Sequence, residues 1–192
     1  MQMKKEEFVY RANPNEWLEV SDELNESIKV ITKHSKSEFL KSDTWDGIPI
    51  RKLMSSRSLF LLMGFALENL IKGILIFDNP ELVNNGELNK KVKSHNIKNL
   101  VSEISDLELD DQSNELLEIL SDAIPDWGRY PCPLKFQQLK DEVKFTEEMS
   151  TRYTALREQM RNKLIERLKK GWISGLENKI TNVRIISIEE KN

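Results

Sequence analysis

The sequence from Leu59 to Phe77, LFLLMGFALENLIKGILIF, decides the fold of this chain. Its 19 residues are almost all apolar, so a helix of this length could cross a membrane. Glu68, however, lies near the midpoint, where insertion of Asp, Lys or Arg costs roughly 2.5–3.5 kcal/mol and Glu should cost a similar amount. We therefore expect this segment to be the central helix of a water-soluble bundle and not a membrane span.

Two charges of opposite sign lie within this apolar helix. Glu68 and Lys72 are four residues apart, which places both side chains on one helix face in the favourable order, with the acid first. Charges inside an apolar helix need partners. We therefore expect either an internal ion pair that fixes the register of the helix or a functional polar cluster, and the sequence leaves both alternatives open.

The composition indicates one helical domain. The 192 residues are enough for a single domain with a substantial core, and 39% apolar with 32% charged residues is typical of amphipathic helices. Only seven Gly and six Pro argue against an all-β chain with many turns. We expect one domain over residues 1–192, with its core from about 14 to 172 and a tail over 173–192.

The cysteine and histidine counts limit the compartment and the chemistry. A single cysteine, Cys132, excludes an intramolecular disulfide framework and favours a reducing cytosol. The first 17 residues are charged but lack an apolar stretch typical of a signal peptide. With two His and one Cys a zinc site is not expected, and no glycine-rich phosphate loop or serine elbow is found. We expect a cytoplasmic protein without a metal or another cofactor.

The charges are unevenly distributed along the second half of the chain. Residues 103–126 hold nine acids and no Lys or Arg, whereas residues 152–170 hold seven bases and two acids. Opposed charges of this kind indicate a nucleic-acid surface or two helices that face each other. Charged runs are most often solvated helix faces, which favours the second interpretation.

Helical spacing of apolar residues predicts an all-α bundle of about five helices. The helices are expected from Pro14 to about 41, from about Pro49 to Phe77, from Ser94 as N-cap to about 107, from about 110 to 124 and from about 146 to 170. The connections are a turn over 42–50, a polar loop over 80–94 and a non-helical loop over 125–133 stiffened by three prolines. VRIISI at 183–188 predicts a short strand or an irregular tail.

Three short motifs occur in order along residues 66–133: ALENLIKGIL, SHNIKNLV and WGRYPCP. Together they resemble the HEPN superfamily (higher eukaryote and prokaryote nucleotide-binding). Many of its members have a helix with E-x-x-x-K, a histidine that opens a leucine-bearing helix, and an R-Y-P loop. The resemblance covers about half of the chain. It implies a HEPN-like bundle, homodimer formation, and a place in prokaryotic defence or toxin–antitoxin systems.

The ribonucleases of that superfamily carry an arginine followed, four to six residues later, by a histidine. Arg161 and Asn162 begin like this motif, but Arg167 stands where the histidine could fall. A guanidinium group stays protonated at neutral pH and cannot act as a general base. The resemblance therefore implies a non-catalytic member, without catalytic residues, that binds a protein partner or a nucleotide or RNA ligand. A metal-independent ribonuclease with a rearranged site and a purely structural interaction protein are the alternatives.

Five residues form the predicted ligand or partner site: Glu68, Lys72, His95, Arg129 and Tyr130. The three cationic or imidazole side chains could converge on a phosphate or another anion, with Glu68 orienting one of them. In the structural alternative, Glu68 and Lys72 form a salt bridge, His95 bonds a backbone group, and Arg129 with Tyr130 pins its loop to the bundle. The expected partners are a second copy or another protein, and a nucleotide or RNA; no membrane is expected.

Overall fold

The computed structural model describes residues 2–42, 45–132, 135, 137, 139, 143–176 and 180–181. Within them the helices are α1 (Gln2–Arg11), α2 (Pro14–His34), α3 (Ser56–Asp78), α4 (Lys90–Lys93), α5 (Ile97–Val101), α6 (Asp111–Ala123) and α7 (Glu147–Leu168). The strands are β1 (Glu38–Lys41), β2 (Ile50–Leu53), β3 (Trp172–Ile173) and β4 (Ile180–Thr181), and residues 80–82 form a 3₁₀ turn. The predicted all-α fold class, a helical bundle with a short strand-like segment near the C-terminus, is confirmed.

Helix α3 lies at the centre of the bundle. It packs against α2, α5, α6 and α7, and most of its side chains are buried. Among the described residues α3 alone is long and apolar enough to cross a membrane, and 78% of its most apolar window is buried inside the fold. Burial on all sides accounts for an apolar helix at this position. The expectation that no membrane takes part stays a prediction, as does the single-domain boundary.

Gly73 allows two neighbouring helices to approach α3 closely. A Cβ atom at this position would lie 2.8 Å from Cδ2 of Leu164 in α7 and 3.3 Å from Cβ of Trp17 in α2. Both distances are shorter than ordinary van der Waals contact. The absence of a side chain at Gly73 therefore sets the spacing between α3 and these two helices.

A β-hairpin replaces the end of one predicted helix and the beginning of the next. Helix α2 ends at His34 instead of near residue 41, and α3 begins at Ser56 instead of near residue 49. Strands β1 and β2 pair antiparallel, with Glu38 opposite Leu53 and Lys41 opposite Ile50. Serine side chains, present here at 35 and 37, compete with the backbone for the hydrogen bonds of a helix and so favour its end. The backbone N–H and C=O groups that follow form hydrogen bonds with β2 instead.

The first and third predicted helices also differ from the structure. Helix α1 precedes the expected start and adds the buried side chain of Val9 to the core, and Ala12, directly after the helix, is buried as well. Ser94 follows the end of α4, and Asn96 is the N-cap of α5, because its side chain accepts the backbone N–H of Asn99. Helix α5 ends at Val101 instead of near residue 107. The expected polar loop thus contains a short 3₁₀ turn and one four-residue helix.

The last two predicted helices are confirmed, and each begins directly after an N-cap residue. Asp110 caps α6 by accepting the N–H of Ser113, and Thr146 caps α7 by accepting the N–H of Met149. Gly171 follows α7 with a φ of 79°, a left-handed conformation that favours glycine. The predicted strand or tail at 183–188 lies outside the described residues.

The acidic segment, in α6 and in the connection before it, faces the basic segment in α7. Arg152 binds Glu115 at 2.9 Å, and Asp106 accepts hydrogen bonds from Lys163 and Arg167 at 3.2 and 2.7 Å. The hydrogen bond from Arg167 and those from Lys163 lower the pKa of Asp106 to about 2, against a smaller opposing effect of burial. Of the two interpretations of the uneven charge distribution, the structure supports the one in which the acidic and basic segments pair with each other.

Candidate functional site

A buried polar cluster lies in the middle of α3. Glu68 and Lys72 are only 5% and 4% exposed, and Nζ of Lys72 lies 2.6 Å from Oε1 of Glu68. The i, i+4 spacing on one helix turn brings the two charges together. The expected burial and pairing of these two residues are confirmed.

His95 completes this cluster from the connection between α4 and α5. Its Nδ1 atom lies 3.1 Å from both carboxylate oxygens of Glu68, so it bonds a side chain and not a backbone group. A carboxylate paired with an ammonium group only accepts hydrogen bonds, which places the imidazole proton on Nδ1. The side chain of His95 is 57% exposed, and its Nε2 is not used in the contact with Glu68.

The charge of Lys72 is balanced inside the protein. Besides Glu68, the ammonium group has the ring of Trp17 as a neighbour, at 5.9 Å from the ring centroid. Such cation–π contacts add roughly 0.5–2 kcal/mol. Lys72 is therefore a poor donor for an external anion. The contacts of Glu68 with Lys72 and His95 instead hold the α4–α5 connection against α3.

Arg129 and Tyr130 lie in another part of the fold. Their loop is held by Trp127, whose ring meets that of Phe60 edge-on at 5.0 Å. Phe60 precedes Glu68 by eight residues, about 12 Å along the helix axis. The guanidinium of Arg129 lies 5.3 Å from the ring of Tyr130, and among the described residues no contact joins it to His95 or Lys72. The five predicted residues thus form two groups, and ligand binding by either group stays a prediction.

The residues of the incomplete ribonuclease motif also separate. Arg161 donates to both carboxylate oxygens of Asp22 in α2, with Nε and Nη2 each at 2.9 Å. This hydrogen bonding raises the pKa of Arg161 further. Asn162 is exposed, while Arg167 binds Asp78 at 2.9 Å and Asp106. Arg161 and Arg167 therefore contact different elements and share no site.

Asp22 accepts from a second arginine as well. Arg157 lies one turn before Arg161, is 4% exposed, and donates from Nη2 to the same carboxylate. Its Nη1 donates to Glu158 at 3.1 Å. Its Nε is buried without a hydrogen-bond partner among the described atoms. Buried polar groups are almost always paired, so an unpaired buried N–H is a feature that needs a reason.

These arginines line a cleft between α2 and α7, which we call the arginine cleft. A cavity of about 300 Å³ adjoins a second cavity of about 340 Å³. Both cavities are lined by Asn25, Lys29, Arg157 and Glu158. The first cavity is also lined by Asp22, Glu26 and Arg161, and the second by Ile28, Thr32, Lys33, Ser150, Tyr153 and Thr154. Four cationic and three anionic side chains thus face this volume.

Tyr153 forms the inner wall of the arginine cleft. Its hydroxyl donates to Oδ1 of Asn25 at 3.2 Å, and burial raises the pKa of this phenol, so it stays neutral. The sequence predicted no role in a site for Asp22, Arg157 or Tyr153. Arg157 directly follows Leu156 in α7 and reads from the sequence as a surface charge, although the structure buries it to 4% exposure.

In the described part of the chain, no three or more His, Cys, Asp or Glu side chains are grouped so that they could hold a metal ion. No known protein family, curated protein or solved structure matches this chain.

Proposed function

We propose that this chain is a non-catalytic, HEPN-like helical module that binds a phosphate-bearing ligand, a nucleotide or an RNA strand, in the arginine cleft. One observation carries the proposal. Two guanidinium groups, those of Arg157 and Arg161, share the single carboxylate of Asp22 at the wall of this cleft. A phosphate oxygen in the cleft would add an acceptor for the guanidinium of Arg161, whose side chain is 27% exposed.

The donors in the cleft suit a phosphate. Arg161 uses Nε and Nη2 for Asp22, which leaves its Nη1 without a hydrogen bond among the described atoms, and its side chain is 27% exposed. The planar guanidinium group presents several N–H donors that match phosphate oxygens. With four cationic side chains against three anionic ones, the cleft carries one excess positive charge, which attracts an anion.

The same geometry supports binding without cleavage. The described residues that line the cleft include no histidine, and the phenol of Tyr153 has a raised pKa, so it is not a base at neutral pH. Asp22 is occupied by two arginines. Arg167, at the position where the superfamily's ribonucleases could carry their histidine, binds Asp78 and Asp106.

The resemblance supplies the wider setting of the proposal. It links a module of this kind to prokaryotic defence or toxin–antitoxin systems in the cytoplasm. The order of the three motifs and the helical bundle support membership of the HEPN superfamily. In this proposal the cluster of Glu68, Lys72 and His95 stabilises the bundle, and ligand contact belongs to the arginine cleft.

The test measures binding of a fluorescently labelled RNA 20-mer by anisotropy, and of ATP by calorimetry, to the full chain. Arg161→Gln should weaken binding about tenfold or more, because a charge-assisted hydrogen bond contributes roughly 1.5–3 kcal/mol. Lys169→Gln, an exposed base on the C-terminal side of the same helix, is the matched control and should change affinity less than twofold. A salt-dependent affinity for RNA but not ATP would identify the ligand as a strand.

Equal effects of the two substitutions, or no binding of either probe, would contradict the arginine-cleft site. Thermal unfolding of each variant should also be followed by circular dichroism, so that affinities are compared between samples with the same folded fraction.

One observation favours the ribonuclease alternative. Glu68 orients His95 through Nδ1 and leaves Nε2 as a surface acceptor, which is the arrangement of a positioned general base. Purified protein should therefore also be incubated with single-stranded RNA and tRNA. RNA that stays intact supports the binding module, whereas cleavage that disappears in His95→Ala would favour the enzyme.

A further inference from the structure

A cavity of about 530 Å³ lies at the C-terminal end of α3, between that helix, the 3₁₀ turn over residues 80–82, α4 and α5. None of the described residues that line it lines the arginine cleft. Small-molecule sites are typically concave, measure about 300–1,000 Å³, and combine an apolar wall with a few polar groups. The cavity therefore has the size of a small-molecule site, and it is separate from the arginine cleft.

The floor of this cavity is apolar and belongs to the core of the bundle. It is formed by Leu75, Leu82 and Leu100, whose exposed fractions are 5%, 8% and 4%. The backbone N–H of Asn89 donates to the carbonyl of Leu82 at 2.8 Å, which closes the connection between the 3₁₀ turn and α4 into a loop. An aliphatic group of a ligand that packs on these leucines is removed from water.

The charges around this cavity leave one carboxylate unbalanced. Glu103 binds Lys91 at 3.0 Å, so the charges of these two residues neutralise each other. Glu81 also lines the cavity, and its carboxylate has no ion pair or hydrogen bond among the described residues. The lining therefore carries one excess negative charge, which attracts a ligand group with a positive charge.

The end of α3 favours a cation in the same place. The C-terminus of a helix carries a partial negative charge of about half an elementary charge, and α3 has no basic residue in its last turn. The carboxylate of Asp78 at this end is already paired with Arg167. Asn79, the C-cap, donates from Nδ2 to the carbonyl of Leu75 at 3.3 Å, which leaves its Oδ1 as an acceptor at the cavity.

We propose that this cavity binds a small primary amine in its ammonium form, with the aliphatic part on the leucine floor and the ammonium group beside Glu81. An ammonium group has three N–H donors and no acceptor. The lining offers three acceptors for it: the carboxylate of Glu81, Oδ1 of Asn79, and the side-chain amide of Asn99, which has no hydrogen bond among the described residues. The arginine cleft has an excess of positive charge, so the two sites take ligands of opposite charge.

Titration of the ¹⁵N-labelled full chain with n-hexylammonium chloride, followed by NMR, tests the site. The amide signals of the residues that line the cavity should shift, with a dissociation constant of about 1 mM. Uncharged 1-hexanol should bind about fivefold more weakly, and Glu81→Gln should weaken hexylammonium binding by a similar factor. Glu87→Gln, an exposed acid in the same connection that does not line the cavity, is the matched control and should change the affinity less than twofold.

Hexanol that binds as tightly as hexylammonium would show that the cavity selects only for apolar chains and would overturn the proposal. Equal effects of the two substitutions, or no shift of the cavity signals at millimolar probe, would overturn it as well. Glu81 and Glu87 are both exposed, so both variants should keep the wild-type melting temperature, and the comparison is made between folded proteins.

Discussion

Replacing Glu68 by methionine would leave the ammonium group of Lys72 without its carboxylate at a position that is only 4% exposed. The ring of Trp17 would remain as a neighbour, at 5.9 Å from Nζ. Removing one partner of a buried ion pair costs about 3–5 kcal/mol, because the other charge stays desolvated and unpaired. We expect Glu68→Met to lower the free energy of unfolding by this amount.

The reverse substitution should cost less. In Lys72→Met the carboxylate of Glu68 keeps His95 as a hydrogen-bond donor, with Nδ1 at 3.1 Å. The expected loss is about 1–3 kcal/mol. With both residues replaced by methionine no buried charge remains, and the double variant should lie within about 1 kcal/mol of the wild type.

Urea unfolding followed by circular dichroism gives the four free energies of this cycle. The loss in the double variant should be at least about 3 kcal/mol smaller than the sum of the two single losses. The exposed pair of Lys91 and Glu103, 3.0 Å apart, is a matched control whose coupling should stay within about 0.2–1 kcal/mol. A coupling for Glu68 and Lys72 no larger than that of the control would show that the two buried charges do not depend on each other.

Two further predictions concern packing and pH. Gly73→Ala should lower the free energy of unfolding by about 1–3 kcal/mol, because the added Cβ would lie 2.8 Å from Cδ2 of Leu164. A melting temperature equal to that of the wild type would contradict this close packing. The pKa of Asp106 is lowered from 3.8 to about 2, so its ion pairs stabilise the fold above pH 4 and are lost as the pH falls through 2. Asp106 is half-exposed, so Asp106→Asn should cost only about 1 kcal/mol at pH 7, and urea titrations should show this difference vanish near pH 2.

Local sequence signals were sufficient for the helices that begin at a strong cap. Asp110 and Thr146 each precede an apolar stripe, and α6 and α7 begin at the next residue. The hairpin was missed because Phe39 falls at helical spacing after the apolar residues of α2, and four residues are too few to show strand alternation. Strand formation at this position depends on pairing with β2, whose partner residues lie nine to fifteen residues further along the chain.

The two sites differ in how far the sequence could predict them. The spacing of Glu68 and Lys72 was informative because both residues lie on one helix. The arginine cleft was not predicted, because Asp22 precedes Arg157 by 135 residues and both read as ordinary surface charges. Their meeting depends on how α2 and α7 pack across α3, which is a tertiary property. The separation of Arg129 from His95 is likewise set by the position of a loop along α3.

The central position of α3 has a consequence during synthesis. The chain completes α3 at Asp78 but completes α7, one of the helices that cover it, only at Leu168, about 90 residues later. At ribosomal rates of about 5–20 residues per second, the interval lasts roughly 5–20 s. Throughout that time the face of α3 that α7 covers in the folded protein lacks its partner, so its apolar side chains are exposed to association until α7 is complete.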